Sequence, residues 1–105
     1  MKKCSLIITT CPDTESAQII ANLLIEKRIA ACVNIIPGVQ SVFHWQGQVE
    51  QSNELMLLIK STAENYEVLE KTITSAHPYE LPEVIKVSIE GSTNYLSWII
   101  EQASK

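Results

Sequence analysis

Between Ala31 and Thr62 the chain follows the two-residue beat of β-strands on both sides of one glycine. Val39, Phe43 and Trp45 fall on one face and Gln40 and His44 on the other, the alternation of a strand buried on one side. Trp45-Gln46-Gly47-Gln48 supplies the reversal, since glycine takes the positive φ that a tight hairpin turn requires. The return limb closes on Leu55-Met56-Leu57-Leu58-Ile59. That run does not alternate, so both faces of the sheet are expected to be covered there. Pro37-Gly38 interrupts the outer limb. A proline has no N–H to give, which predicts a bulge or bend between a short strand, Ala31 to Ile36, and a longer one from Val39.

The flanking segments are simpler. Leu6-Ile7-Ile8 centres a first strand, Lys3 to Thr10, which Cys11-Pro12-Asp13 stops. Asp13 or Thr14 opens a helix to Lys27, and Ala17, Ile20, Ala21 and Leu24 recur on one stripe of it. A second helix, Glu64 to Ala76, carries Tyr66, Leu69, Ile73 and Ala76 on one side. The prolines of His77-Pro78-Tyr79-Glu80-Leu81-Pro82 forbid its continuation and stiffen the connection. Val84 to Glu90 is a last strand, Gly91-Ser92 ends it, and Thr93 to Ala103 is a last helix. The order β-α-β-β-α-β-α predicts an α+β class, a ferredoxin-like split β-α-β sandwich with a long central β-hairpin and an extra C-terminal helix. The two crossover helices belong on one face. The other face then lies open and apolar, which favours self-association with cyclic closure.

At 105 residues the chain is read as a single domain, 1–105. Twelve acids stand against eight bases, and no basic run is long enough to track a phosphate backbone, so nucleic acid is not expected as a partner. No apolar run approaches the ~18 residues of a membrane span. Leu6-Ile7-Ile8 behind Met1-Lys2-Lys3 is also shorter than the ~7–15 residues of a secretory h-region. The expected setting is cytoplasmic. Cys4, Cys11 and Cys32 are odd in number and form no C-x-x-C pair, which argues for reduced thiols.

No G-x-S-x-G turn and no phosphate-cradling glycine series is present, so the expectation is a non-enzyme without an organic cofactor. The remaining constellation is His77 with Tyr79, Glu80 and Glu83 in the proline-stiffened loop, reached by Cys32 or Lys60 from the hairpin. Imidazole and carboxylate suit copper or zinc, and a thiolate biases a site toward softer ions. Candidate metal residues are therefore His77, Cys11 and Cys32, and candidate ligand-cleft residues are Lys60, Tyr79 and Glu83. The plainer alternative is a loop that His77 merely starts and Tyr79 merely anchors. Trp45 and Trp98 are likewise either packing residues or walls of an aromatic cage.

Ala30-Ala31-Cys32-Val33-Asn34, Ile36-Pro37-Gly38, Trp45-Gln46-Gly47, Leu58-Ile59-Lys60, His77-Pro78-Tyr79-Glu80 with Pro82-Glu83, and Tyr95-Leu96 with Trp98 come in an order that resembles the CutA divalent-cation tolerance proteins. The match runs from Thr10 to Trp98. The resemblance implies a ferredoxin-like subunit of a stable cytoplasmic homotrimer associated with copper tolerance. It also implies a copper ligand set of one cysteine near the end of the first strand and two histidines before the Pro-Tyr pair. Those positions are Thr9, Ala76 and His77 here, with Cys11 two residues, about 6.6 Å, beyond Thr9. The expected metal is Cu(II) or another divalent cation, weakly held. The alternative expectation is a regulatory module that takes a small molecule or a protein in an intersubunit cleft.

Overall fold

The computed structural model describes residues 1–104. Strand β1 (Cys4–Cys11) ends at Pro12, and the Asp13 carboxylate accepts the Ser16 backbone N–H at 2.8 Å to open helix α1 (Thr14–Glu26). Those hydrogen bonds from Ser16 hold the Asp13 carboxyl below its ordinary range. Ala17, Ile20, Ala21 and Leu24 are the buried stripe of α1, as their spacing predicts. Strands β2 (Cys32–Trp45) and β3 (Gln48–Thr62) form the hairpin. Its loop is Gln46-Gly47, with φ of 51° and 79°. Two successive left-handed residues twist in the same sense as the strands, which is why a two-residue loop suffices.

One 3₁₀ turn, Ala63–Asn65, precedes helix α2 (Tyr66–Ala76), so the start expected at Glu64 is tighter than an α-helical turn. Strand β4 (Ile85–Ile89) and helix α3 (Thr93–Gln102) complete the order, with Ser92 accepting the Tyr95 N–H at 3.3 Å as cap. The sheet order is β2-β3-β1-β4, with every neighbouring pair antiparallel. Each helical crossover therefore steps over one strand, which is the split β-α-β arrangement.

The register sorts the side chains. Ile7 lies opposite Ile59, and the set containing Ile7, Cys11, Leu57 and Ile59 packs against Ala17, Ile20, Leu24, Leu69 and Ile73. The opposite face carries Leu6, Ile8, Met56 and Leu58, all half-buried, with Ile85 48% and Val87 44% exposed. The expectation of cover on both faces at Leu55–Ile59 is thus met on one face only, because this chain has two crossover helices and both lie on the same side. Helix α3 reaches the second face at one end, where the Cys4 thiol meets the Leu96 carbonyl at 3.7 Å and Lys60 stands over the Tyr95 ring.

The outer limb is one strand with a register shift between Ile36, opposite Met56, and Val39, opposite Glu54. Two residues, Pro37 and Gly38, stand there against Leu55 alone, and Gly38 has φ +76°. That is the predicted bulge. Beyond it the arm outruns the helices, and the molecule extends 45 Å in one direction against 24 and 22 Å in the others. Phe43 and Trp45 therefore remain 42% and 38% exposed, where the alternation had suggested a covered face.

Candidate functional site

The end of β1, the start of the proline-rich loop and the root of the hairpin arm meet at His77. Its backbone N–H caps α2 on the Ile73 carbonyl, and its ring is buried. Nδ1 accepts the Tyr79 backbone N–H at 3.1 Å. The proton must then sit on Nε2, which donates to the Thr10 carbonyl at 2.7 Å. Both ring nitrogens are spoken for by backbone, so the imidazole staples the loop to β1.

Cys11 Sγ lies 3.8 Å from His77 Nε2. Two of the three metal candidates thus come together. The Cys11 thiol is fully buried, and that burial, with the charges of Asp13 and Glu54 adding to it, pushes its pKa up to about 11. It is a protonated thiol at neutral pH and a poor ligand in that form. Cys32 is elsewhere, opposite Lys60 in the β2–β3 pairing.

At the positions where the resemblance implies copper ligands, Ala76 has no donor atom. Thr9 offers a buried hydroxyl without a hydrogen-bond partner in place of a thiolate. These residues do not fit a copper site of that kind. Among the described residues no group of three or more His, Cys, Asp or Glu side chains gathers to hold a metal ion.

The loop's next residue makes a different contact. Tyr79 donates its hydroxyl to Glu54 Oε2 at 2.7 Å, and its ring lies 4.9 Å from that of His77. Burial and the Glu54 hydrogen bond push the Tyr79 pKa up to about 12, so the phenol stays a donor. Glu54 is only 6% exposed. Glu83 is exposed, yet partial loss of water and the nearby Glu54 charge raise its carboxyl above the ordinary range. These groups line a cleft of about 900 Å³ between the hairpin arm and the loop, together with Phe43, Trp45 and Glu50.

Lys60 does not belong to this cleft within one chain. It lies six positions along β3 from Glu54, about 20 Å of strand, and its ammonium sits 5.7 Å from the Tyr95 ring, which stacks on Trp98. Tyr79 and Glu83 line one cleft within the chain, and Glu54 lines it with them. The sequence marks Glu54 by one signal alone: it is the lone acid opening an apolar run. Of the two tryptophans, Trp45 lines the cleft and Trp98 belongs to α3, where it stacks on Tyr95 and stays exposed.

No helix among the described residues is long and apolar enough to cross a membrane. A divalent-cation tolerance protein CutA of Thermus thermophilus is 42% identical over 97 residues, 91% of this chain and 94% of that one. Its solved structure superposes with a TM-score of 0.92, covering 94% of this chain and 97% of the other at 41% identity. The periplasmic divalent cation tolerance protein CutA of Archaeoglobus fulgidus superposes with a TM-score of 0.93 at 33% identity, covering 96% and 99%. The chain spans just over half the length of the human CutA protein that it matches. With the split β-α-β sheet in place, and residues 5–102 matching the family model for CutA1 divalent ion tolerance proteins, the chain belongs to that family.

Proposed function

We propose that this chain serves divalent-cation tolerance, copper included, as a cytoplasmic, non-catalytic homotrimer that meets Cu(II) or another divalent ion weakly and carries no organic cofactor. The observation behind weak contact is His77. A ring whose two nitrogens already bond the Thr10 carbonyl and the Tyr79 N–H must give up one of them to bind a metal. Cys11 must lose a proton it holds up to about pH 11. Assembly is supported by the uncovered sheet face, since three copies around an axis hide Ile85, Val87 and the half-buried Met56 and Leu58 from water.

Calorimetric titration with Cu(II) tests the metal part. The expected result is a weak, saturable complex that a chelator strips readily. A stoichiometric complex retained through purification overturns it, and His77→Ala, Cys11→Ser and Cys32→Ser then identify the ligand. Light scattering tests assembly: a mass three times that of the chain is expected, and a monomer mass at all concentrations defeats it. Fractionation of the source cells tests the compartment, since the Archaeoglobus relative is described as periplasmic.

A second reading is favoured by the cleft itself: a regulatory module in which Tyr79 and Glu83, with Glu54, take a small ligand. Tolerance is then an indirect result of binding that ligand. Lys60 enters this site only if a second copy supplies it.

A further inference from the structure

Helix α3 is held differently from the other two. Helix α1 places Ala17, Ile20 and Leu24, and α2 places Leu69 and Ile73, in the core cluster around Ile7, Leu57 and Ile59. Of α3 only Ile99 is buried, and no residue of α3 belongs to that cluster. A helix of ten residues is also shorter than the about 12–15 that are marginal alone in water. Its place therefore depends on a few contacts.

The polar ones gather at its C-terminal end. The last carbonyls of a helix lack donors within the helix, and α3 has no basic residue in its own last turn. Two distant segments supply the donors. Arg28 Nε donates to the Ser104 carbonyl at 3.0 Å and Nη2 reaches the Glu101 carbonyl at 3.5 Å, while Asn65 Nδ2 donates to the Ala103 carbonyl at 2.9 Å. Both Arg28 contacts are exposed beside a cavity of about 400 Å³ that Arg28, Asn65, Ala103 and Ser104 help to line, so water competes for the same carbonyls.

The backbone is strained to make this contact. Arg28 follows Lys27, the C-cap of α1, and has φ 57°, a left-handed position that glycine usually fills after a helix. An arginine there takes on strain that glycine avoids, and its side-chain donors go to α3 rather than to α1. Arg28 and Asn65 belong to the helical side of the sheet. Helix α3 closes one end of the opposite side, over the Cys4 thiol, which is 3% exposed.

We infer that α3 is a strap latched by Arg28, with Asn65 beside it, which opens and recloses as a unit while the sheet, α1 and α2 stay folded. Segments with few buried apolar contacts and solvent-exposed hydrogen bonds are the ones that open below the global unfolding free energy. Opening uncovers the end of the sheet face that α3 closes, so a latch in one layer governs access to the other.

Hydrogen–deuterium exchange of the intact protein, read peptide by peptide, tests this. The amides of Thr93–Gln102 are expected to exchange at least about tenfold faster than those of β1 and β3. Arg28→Gly is the deciding variant, because it relieves the backbone strain and removes the latch together. The urea midpoint is expected to hold or rise, while α3 exchanges a further about three- to tenfold faster, as loss of a helix-terminal cation and its hydrogen bonds implies. Exchange of α3 in step with β1 and β3 in the wild type overturns the inference, since the helix then opens only with the whole chain. Unchanged α3 exchange in Arg28→Gly overturns it as well, since water then replaces the guanidinium. A urea midpoint that falls together with α3 protection makes Arg28 a support of the global fold and overturns the latch.

Discussion

The two faces of the sheet are built from the same kinds of side chain and end in different surroundings. On one, Ile7, Leu57 and Ile59 are fully buried under α1 and α2. On the other, Leu6, Ile8, Met56 and Leu58, their immediate sequence neighbours, are half-buried, and Ile36, Ile85 and Val87 are exposed. An apolar run such as Leu55–Ile59 states that both faces avoid water. It does not state that one chain covers both. The helical face is a matter of folding and the open face a matter of assembly, and substitutions at adjacent positions should separate the two.

The largest expected effect is on the covered face. Leu57→Ala should cost about 2–5 kcal/mol, the range for a buried leucine that leaves a cavity. Leu57→Asp, which strands a charge in the same place, should cost more and abolish cooperative unfolding in urea. Native-like stability in Leu57→Asp would break the comparison outright. One residue along, Leu58→Asp should leave far-UV circular dichroism close to wild type and lower the scattering mass to that of a monomer. A trimer mass in that variant places the interface elsewhere.

His77→Ala probes the joint between the sheet and the loop. It leaves the Thr10 carbonyl and the Tyr79 N–H without their partner, at about 1–3 kcal/mol for a buried group left unpaired. Chemical denaturation reads this, and an effect below a few tenths would mean that water replaces the ring. The smallest expected effect is at Glu83. Its folded-state pKa is raised, so the folded chain binds the proton more readily than the unfolded one. Stability is then gained as pH falls through that folded-state value and lost as pH rises through it. Glu83→Gln should therefore melt slightly above wild type at neutral pH, with the gap closing in acid. A gap that widens in acid would mean that Glu83 is stabilised as an anion.

Local chemistry made most of the fold legible. Asp13 and Ser92 as caps, Pro12 as a stop, Gly47 in the turn and Pro37-Gly38 as a bulge all act within a few residues of themselves. The site was less legible because its contacts join distant segments. Nothing near His77 in the sequence announces the Thr10 carbonyl, 67 residues away, as its partner. Lys60 and Tyr79 stand apart within one chain, because the strand carries Lys60 to the ring of Tyr95, and an intersubunit cleft holding both requires a second copy. Trp45 and Phe43 read as buried because alternation reports which way a side chain faces, and not how far the covering helices extend.

The bulge at Pro37-Gly38 carries a meaning beyond the bend it makes. Before it, even-numbered residues of the outer limb share the face of Met56; after it, odd-numbered ones share the face of Glu54, which is the same face. That exchange of parity is what sets Phe43 beside Glu50 and turns Trp45 to the cleft. Were Pro37 and Gly38 to pair residue for residue with Leu55 and Glu54, the limb from there to the turn would be inverted and would present Gln40, Val42 and His44 instead. The sidedness of the arm is therefore set by the two-against-one count of the bulge rather than by the identity of the residues beyond it. A deletion of one residue at 37–38 would leave Val39 opposite Glu54 and the residues up to the turn on their present faces, removing the local bend alone.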